Sequence, residues 1–364
     1  MEEGERIIVR SARREESGDR FLTDYNSNFA RIPLKMIDPN RFAIGVDLGG
    51  TNMRIAAVDE NGKQLELITT STEVKRGRDL VVGDICDAIR ALRKKFDARG
   101  KFAGTGIGVP GIIEMETGTV LQSPNLPDWT KYPVRDEIQR RLDSQVILEN
   151  DANVAALGEK WMGAGRDADS MCMFTLGTGV GAGIVLDGKI WHGMTGMAGE
   201  CGHITIFPDG VLCGCGNRGC VEQYASATAV KRMAIEAIAT GKAPELARAM
   251  SENPEFSSKV VFQYAMRGEH SAKQIFEVVG HVLGMVLADM INTLNLPMYV
   301  IGGGLASGWE AFAPEMFEEL RRRSYVYVAT ALDETLPARK HTLITRALLG
   351  SDAGLIGAAR LALM

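Results

Sequence analysis

The pattern of apolar and polar positions becomes regular at Phe42, where a short apolar run predicts the first β-strand, 42–47. A second run predicts a strand at 53–58, and Asn61-Gly62 has the composition of a hairpin turn leading to a third strand at 65–70. Further apolar runs predict strands at 104–111, 146–148, 171–175, 180–186, 298–301 and 341–346. Apolar residues spaced three or four positions apart predict helices at 80–96, 152–162, 272–294 and 353–363.

This order of elements predicts two α/β domains, because each of two units opens with a pair of strands joined by a glycine-rich turn. We expect a smaller domain at 42–150 and a larger one at 151–350, with a cleft between them. The final helix, within 351–364, is expected to pack back on the smaller domain. Residues 1–41 mix both charge signs without periodicity, which favours a flexible extension.

The composition is that of a globular protein, with 364 residues of which 45% are hydrophobic and 24% charged. A net charge of -5 provides no basic field for nucleic acid or an anionic membrane surface. The longest apolar stretch, 281–300, is interrupted by Asp289, Asn292, Asn295 and Pro297, which makes it a poor membrane span. The N-terminus lacks the apolar core of a secretory signal, so we expect a cytoplasmic protein.

A glycine-rich turn follows Asp47 and joins the first two predicted strands. Gly49 and Gly50 allow the backbone to approach a ligand closely, so that main-chain N–H groups can bind a phosphate. Thr51 and Asn52 add side-chain donors, and the Asp47 carboxylate is placed to hold Mg²⁺ directly or through water. Alone, the same pattern is equally typical of an ordinary hairpin turn.

A second turn of this kind, with Gly177, Thr178 and Gly179, lies between the strands predicted at 171–175 and 180–186. Neither turn has the spacing of a lysine-containing phosphate loop or of a dinucleotide-binding fingerprint. Two phosphate-binding hairpin turns in two domains favour a nucleotide held across a cleft. A third turn, at Gly303 and Gly304, is predicted to lie against the adenosine, although a plain strand-to-helix turn explains it equally well.

Asn150 and Asp151 stand where a predicted strand ends and a predicted helix begins. Aspartate is common as a helix N-cap, and that is the simplest role for Asp151. The alternative role is that of a general base, which accepts the proton of a hydroxyl group as this group attacks a phosphoryl group. Asn150 is then placed to bind a neighbouring hydroxyl.

The strongest local motif combines one imidazole with three thiols, at His203, Cys213, Cys215 and Cys220. Such a set suits tetrahedral Zn²⁺ and leaves no coordination position open, which predicts a structural metal. Free thiols or a disulfide are the alternatives, and the expected cytoplasmic location disfavours the latter. Glu200 and Glu222 flank the motif, so folding around the metal is expected to bring both carboxylates together, where they can accept hydrogen bonds from sugar hydroxyls.

These residues together resemble the ROK family (repressors, open reading frames, kinases) within the sugar kinase, heat-shock protein and actin superfamily. The run Gly-Glu-Cys-Gly-His at 199–203, followed nine residues later by Cys-x-Cys-Gly-x-x-Gly-Cys-x-Glu at 213–222, matches the family pattern. The resemblance extends from about residue 42 to the C-terminus. It implies the two-domain, ribonuclease H-like fold of actin-like ATPases, with an inter-domain cleft.

The resemblance also implies roles for individual residues, with Asp151 as the catalytic base and Asp47 as the residue that handles Mg²⁺. The implied sugar contacts are Gly111, Asn150, Asp151, Glu200, His203 and Glu222. The implied nucleotide contacts are Gly49, Gly50, Thr51, Asn52, Gly177, Thr178, Gly179, Gly303 and Gly304. The implied partners are ATP, Mg²⁺, one structural Zn²⁺ on His203, Cys213, Cys215 and Cys220, and a second copy or three further copies of the chain.

Within the family, the segments 108–111 and 123–126 resemble those of members that phosphorylate the 6-hydroxyl of glucose. Members that act on N-acetylmannosamine carry an arginine where this chain has Ile112, which favours glucose, with mannose or fructose as alternatives. ROK repressors carry an N-terminal DNA-binding domain, whereas only about forty residues without a helix-turn-helix pattern precede Phe42 here. A filament or chaperone ATPase of the same superfamily would not need the zinc motif.

Overall fold

The computed structural model describes residues 41–123, 125–331 and 340–364. The extension predicted at 1–41 therefore lies outside the described residues, except for Arg41. The strands are β1 (Arg41–Leu48), β2 (Asn52–Asp59), β3 (Gln64–Ser71), β4 (Lys101–Val109), β5 (Ile112–Glu114), β6 (Thr119–Gln122), β7 (Val146–Asn150), β8 (Met171–Leu176), β9 (Val180–Leu186), β10 (Lys189–Ile190), β11 (Met298–Gly302) and β12 (Leu343–Arg346). The helices are α1 (Arg78–Phe96), α2 (Val134–Leu142), α3 (Asp151–Met162), α4 (Glu222–Ala225), α5 (Ala227–Ala239), α6 (Pro244–Glu252), α7 (Ser258–Met266), α8 (His270–Leu294), α9 (Trp309–Arg323), α10 (Tyr325–Ala331) and α11 (Ala353–Leu363).

Two five-stranded sheets repeat the same topology. The first has the order β3-β2-β1-β4-β7 and the second has the order β10-β9-β8-β11-β12. In each sheet the first three strands along the chain pair antiparallel, and two later strands then add in parallel. Because parallel strands end at the same edge of a sheet, β1, β4 and β7 bring their carboxyl ends together, and so do β8, β11 and β12. This duplicated order is the one expected for the actin-like ATPase fold.

Two helices, α3 and α11, connect the sheets. Helix α11 packs on β1 and β4 of the first sheet, whereas α3 packs on β8 and β9 of the second, and the two helices pack against each other. They cross closely because glycines lie at the contact: a Cβ atom at Gly357 would come within 1.7 Å of the Val154 carbonyl oxygen, and one at Gly158 within 2.1 Å of the Ala353 oxygen. The contact fixes the start of α3 relative to the first sheet.

Each sheet has its own apolar core. In the first, α1 and α2 cover one face of the sheet and bury side chains such as Ile85 and Ile138. In the second, α8 is the central helix, and α9 and α7 pack on it. Within the described part of the chain, α8 alone is long and apolar enough to cross a membrane, but 67% of its most apolar window is buried inside the protein. Such burial is typical of a core helix, in agreement with the interruptions seen in its sequence.

Several local features near the first sheet differ from the sequence predictions. The β5–β6 hairpin was not predicted because β5 has only three residues, too few for a visible alternation. Helix α2 was also missed, since charged residues fill most of its nine positions. Strand β7 is longer than the predicted 146–148, because Asn150 still pairs with Val109 of β4. This pairing carries Asn150 to the edge of the first sheet and makes Asp151 the first residue of α3.

Candidate active site

Asn150 and Asp151 divide the roles that the sequence left open. The Asn150 side chain caps α3, because its Oδ1 accepts hydrogen bonds from the N–H groups of Ala152 (2.9 Å) and Asn153 (3.2 Å). The capping role considered for Asp151 therefore belongs to Asn150, since β7 continues two residues further than predicted and α3 begins at Asp151 rather than at Ala152. Asp151 accepts one bond on Oδ1, from Ala152 N at 2.9 Å, which fixes the carboxylate and leaves Oδ2 outside that bond.

The environment of Asp151 raises the pKa of its carboxyl group from the ordinary value of 3.8 to about 6. Desolvation is the largest cause, since the charged form loses water at the start of α3. The bond from Ala152 opposes this effect, whereas the negative charges of Asp47 and Glu200 reinforce it. A carboxylate with a pKa near neutrality is suited to accept a proton from a hydroxyl group at physiological pH.

Asp47 lies at the carboxyl end of β1, beside Gly108 of the neighbouring parallel strand. Its carboxylate faces the start of α11, where a Cβ atom at position 354 would lie 3.1–3.2 Å from the carboxylate atoms, so that Gly354 leaves just enough room. Burial raises the pKa of Asp47, and the nearby Arg54 opposes that effect. Since the first turn of a helix favours a negative charge, this position keeps a carboxylate available for a hard cation.

The first glycine turn is closed by backbone bonds. Gly49 N–H donates to the Asn52 oxygen (2.9 Å), and the buried Thr72 binds the turn from the end of β3, through its N–H to Thr51 O (2.8 Å) and its hydroxyl to Gly49 O (2.6 Å). Thr51 and Asn52 remain exposed, whereas a Cβ atom at Gly50 would lie 3.0 Å from Asn125. The two side chains that the sequence proposed as donors are thus free to face a ligand.

The second glycine turn is held by the helices that follow it. The start of α5 binds it twice, through Ala227 N–H to Gly177 O (2.9 Å) and the Thr228 hydroxyl to Thr178 O (2.7 Å). Thr178 is exposed, and apart from residues 176–178 themselves no atom of the described residues lies within 4 Å of the place where a Cβ atom at Gly177 would stand. At Gly181, where β9 begins, a Cβ atom would lie 3.0 Å from the Ala152 Cβ. The second turn therefore lies beside the start of α3 and hence beside Asp151.

Glu222 is bound to this turn. Its Oε2 accepts a hydrogen bond from Val180 N–H (3.0 Å), and the same oxygen lies 2.2 Å from the place that a Cβ atom at Gly179 would occupy. Position 179 therefore requires glycine for the Glu222 carboxylate to reach the backbone. The sequence suggested Glu222 as a sugar ligand, and the structure adds a contact that links this carboxylate to the turn.

The third glycine turn lies against the second. A Cβ atom at Gly303, which has a φ of 83°, would lie 2.5 Å from the oxygen of Leu176, the residue just before Gly177. Gly304, by contrast, faces open space, since nothing in the described ranges comes within 4 Å of a Cβ atom placed there. The structure thus brings the predicted phosphate turn and the predicted adenosine turn of the second sheet together.

Gly111 follows β4 and adopts a φ of 119°, in the left-handed region. A Cβ atom there would also lie 2.3 Å from the Gln122 oxygen. The Gly111 carbonyl accepts a hydrogen bond from Asn150 Nδ2 at 3.1 Å. The predicted sugar contacts Gly111 and Asn150 are therefore neighbours, next to Asp151.

The histidine and three cysteines of the metal motif come together, with all four candidate ligand atoms within 4.8 Å of one another. Cys215 Sγ and Cys220 Sγ are 3.8 Å apart, and Cys213 Sγ lies 3.6 Å from His203 Nδ1. Tetrahedral zinc with Zn–S bonds of about 2.3 Å and Zn–N bonds of about 2.0 Å separates two sulfurs by about 3.8 Å, and sulfur from nitrogen by about 3.6 Å. The donor set and its spacing therefore fit a closed zinc site.

His203 connects this cluster to the carboxylates. Its Nδ1 faces Cys213, and its Nε2 lies 3.9 Å from Glu200 Oε2. The Glu200 charge in turn reaches Asp151. The cysteine cluster thus fixes the imidazole, the imidazole lies beside Glu200, and Glu200 lies near the candidate base.

Three polar residues near this site were missed by the sequence patterns. Thr72 holds the first glycine turn, and Glu149 and His192 form an ion pair behind Asn150. Glu149 could have been found from the sequence, because it directly precedes Asn150 and Asp151. No spacing in the sequence connects His192 to that run, because 43 positions separate the paired residues.

The comparisons with known proteins agree with this arrangement. The model of the ROK family matches residues 43–364. The chain is 36% identical to a glucokinase of Halalkalibacterium halodurans over 320 residues (87% of this chain and 94% of that protein), and 36% identical to a glucokinase of Thermotoga maritima over 321 residues (88% and 97%). The crystal structure of a ROK family glucokinase from Streptomyces griseus in complex with glucose and AMPPNP is similar, with a TM-score of 0.71, 34% identity, and coverage of 88% of this chain and 98% of that chain.

These matches confirm the predicted actin-like ATPase fold and the resemblance drawn from the glycine, cysteine and histidine motif. The family match covers almost every residue that the structure describes, including both sheets and the cysteine cluster. The chain belongs to the ROK family.

Proposed function

We propose that the protein is an ATP-dependent glucose kinase that transfers the γ-phosphoryl group to the 6-hydroxyl, with Asp151 as the general base. The proposal rests on the hydrogen bonding and the raised pKa of the Asp151 carboxylate. One of its oxygens is fixed by Ala152 N–H, and its pKa is raised to about 6 beside Asp47 and Glu200. In phosphoryl transfer to a hydroxyl group, a base accepts the hydroxyl proton, and the rest of catalysis is positioning of the substrates and stabilisation of charge.

In the proposed reaction, Asp151 accepts the proton of the sugar 6-hydroxyl as its oxygen attacks the γ-phosphorus. The bond between this phosphorus and the β,γ-bridging oxygen breaks, and ADP leaves with the electron pair. The proton on Asp151 then passes to solvent. Since the carboxylate pKa lies near 6, it is ionised at neutral pH and still basic enough to share the proton in the transition state.

For the nucleotide, we assign the phosphates to the two hairpin turns, at Gly49, Gly50, Thr51 and Asn52 and at Gly177, Thr178 and Gly179. We assign the adenosine to Gly303 and Gly304. Their support is the open space beside Gly177 and Gly304 and the exposed Thr51, Asn52 and Thr178 side chains. Asp47 would hold Mg²⁺, which supplies positive charge to the phosphates when bound.

For the sugar, we assign hydroxyl contacts to Gly111, Asn150, Glu200, His203 and Glu222. Asn150 and Gly111 lie on the side of the first sheet, and Glu200 and His203 on the side of the second. A carboxylate can accept hydrogen bonds from two hydroxyl groups, and the His203 ring, whose Nδ1 faces the cysteine cluster, has Nε2 left for one hydroxyl group.

We further propose that His203, Cys213, Cys215 and Cys220 hold one structural Zn²⁺. The support is the agreement between the observed donor separations and those of a tetrahedral site. The ion would fix the short segment from Cys213 to Cys220 and, through His203, the position of Glu200. A cytoplasmic location, where thiols stay reduced and ATP is available, accompanies this proposal.

Glucose is the preferred substrate in this proposal. Two ROK glucokinase relatives at 36% identity and the glucokinase structure with glucose support it, and so does Ile112 in place of an arginine. A coupled ADP-release assay with glucose, mannose, fructose and N-acetylmannosamine tests the choice, and we expect kcat/KM to be at least tenfold higher for glucose (about 1.4 kcal/mol). A higher value for another hexose would replace the substrate. ADP release with none of the four would contradict the kinase assignment and leave a sugar-responsive repressor as the alternative.

A further inference from the structure

A partly buried ion pair lies at the end of β7, two residues before the candidate base. His192 Nε2 is 2.6 Å from Glu149 Oε2, and only 2% of the Glu149 side chain is exposed, compared with 36% for His192. Glu149 belongs to β7 of the first sheet, whereas His192 follows β10 of the second. The pair therefore joins the two sheets at the point where Asn150 and Asp151 begin.

The second oxygen of the Glu149 carboxylate binds the residues around the start of α3. Its Oε1 accepts hydrogen bonds from Asn150 N–H (2.9 Å) and Asn153 Nδ2 (2.9 Å). Removing one partner of a buried carboxylate is costly, so the three donors together hold the Glu149 side chain in this position. The His192 ring is thus connected, through one carboxylate, to the backbone of the residue that precedes Asp151.

On its other side, His192 controls the path of the chain to Glu200. The His192 carbonyl accepts a bond from Ala198 N–H (3.2 Å), which closes the loop 193–197 at its base. Ala198 stands two residues before Glu200. At Gly199, between them, a Cβ atom would lie 2.6 Å from the Ala182 oxygen of β9, so that this stretch runs tightly along the strand.

The tip of the same loop also contacts residues next to the β5–β6 hairpin, on the side of the first sheet. A Cβ atom at Gly196 would lie 2.8 Å from Met115 Cγ and 3.3 Å from the Ile113 oxygen, next to the β5–β6 hairpin. Residues 192–198 therefore span the two halves of the protein, with the ion pair at one end and this contact at the other. The segment that leads to Glu200 is thus located by groups on the opposite sheet.

We propose that His192 and Glu149 are positioning residues of the sugar site, which fix the segment carrying Glu200 at a set distance from Asp151. Neither residue is assigned a contact with the sugar or a proton transfer. The proposal rests on the assignment of Glu200 as a sugar ligand and of Asp151 as the base. Its consequence is specific: weakening the pair displaces one sugar ligand relative to the base and leaves the nucleotide turns unaffected.

Two substitutions of His192 by polar amide side chains distinguish the positioning role from a general loss of stability. His192→Gln keeps an N–H donor at the position of Nε2. The side chain of His192→Asn is one bond shorter, so its N–H donor does not reach Glu149 Oε2. His270→Asn is the matched control, since His270 is exposed at the start of α8, away from the site. Steady-state kinetics with glucose and ATP varied separately, together with thermal unfolding, give the readout for all three variants and the wild-type chain.

We expect His192→Asn to raise KM for glucose and to lower kcat, each about tenfold, as for a lost hydrogen bond to a charged group. KM for ATP should change less than twofold, and His192→Gln should recover both parameters to within about threefold of the wild type. A His192→Asn variant whose two KM values and kcat match those of the His270→Asn control would overturn the proposal, even if its unfolding temperature fell. Equal rises in KM for glucose and ATP would also overturn it, because the defect would then not be confined to the sugar site.

The proposed function is tested separately by the wild-type chain in the same experiment. If the wild type phosphorylates glucose and His192→Asn behaves as the control, the positioning role alone fails. If the wild type turns over no hexose, the proposed function fails first, and the positioning role, which depends on it, fails with it.

Discussion

Replacing Asp151 by asparagine should make the protein more stable and nearly inactive. The substitution keeps the shape of the side chain and an oxygen that can accept the bond from Ala152 N–H, but it removes the charge. In the native protein that charge is unfavourable, because desolvation and the carboxylates of Asp47 and Glu200 raise the pKa of Asp151 from 3.8 to about 6. A raised pKa for an acid means that folding costs free energy whenever the group is ionised.

The magnitude follows from the two pKa values. Between about pH 4 and pH 6, the unfolded chain has lost the Asp151 proton while the folded chain keeps it, so the folded state binds more protons and the free energy of unfolding falls as pH rises. Above pH 6 the full cost is present, which is about 3 kcal/mol for a shift of this size. Because Asp151 is only half-buried, we expect Asp151→Asn to gain about 1–3 kcal/mol at pH 7.5.

Urea unfolding followed by circular dichroism measures this gain, provided that each variant unfolds in one transition. The gain should shrink to about one third at pH 4.5, where the folded carboxyl group is already protonated. Phosphotransfer to glucose should fall about 10²–10⁴-fold, and kcat/KM of the wild type should rise with an apparent pKa near 6. A variant less stable than the wild type at both pH values would show that the Asp151 charge is not destabilising. A variant with near-normal turnover would show that Asp151 is not the base.

Two further predictions concern the metal cluster and Asp47. Elemental analysis should find about one zinc per chain, and Cys215→Ser should lose that zinc and unfold at a lower temperature. Cys86→Ala, a change in the core of the first sheet, is the control and should keep the zinc. A wild-type protein that contains no zinc and is as stable without zinc as with zinc added would contradict the site. Gly354→Ala should reduce kcat about tenfold with little change in stability, because the added Cβ atom would lie 3.1–3.2 Å from the Asp47 carboxylate and displace it. A Gly354→Ala enzyme with unchanged kcat would show that activity does not depend on the close approach of Gly354 to Asp47. Gly83→Ala is the matched control, since Gly83 lies in α1 with its nearest neighbour in the described chain at 4.0 Å and should gain up to about 1 kcal/mol without a change in kcat.

The fold could be predicted from the sequence where each element carries its own signal. The strands around the two hairpin turns have strong apolar runs, and the cysteine cluster has a spacing that few other structures need. Elements with a weak local signal escaped prediction, as β5 and α2 did. Their stability comes from packing on the first sheet, where Ile113 and Ile138 are buried, rather than from their own sequence pattern.

The candidate site shows the same limit at the level of single residues. Asp151 and Asn150 were found together, but the exchange of the capping role depends on how far β7 continues, and that is set by its pairing with β4. The bond from Val180 N–H to Glu222 and the pair formed by His192 and Glu149 join residues 42 and 43 positions apart. Contacts of this kind depend on how segments far apart in the sequence pack together, so no local pattern reveals them.

The formation of glucose 6-phosphate, with Asp151 as the base, can be measured directly. Purified wild-type protein and Asp151→Asn are incubated with glucose, ATP and Mg²⁺, and the phosphorylated sugar is identified by ³¹P and ¹³C NMR. We expect glucose 6-phosphate from the wild type, formed in step with ADP, and at least a hundredfold less from the folded variant. Phosphate on another hydroxyl, no sugar phosphate from the wild type, or equal product from both proteins would contradict it.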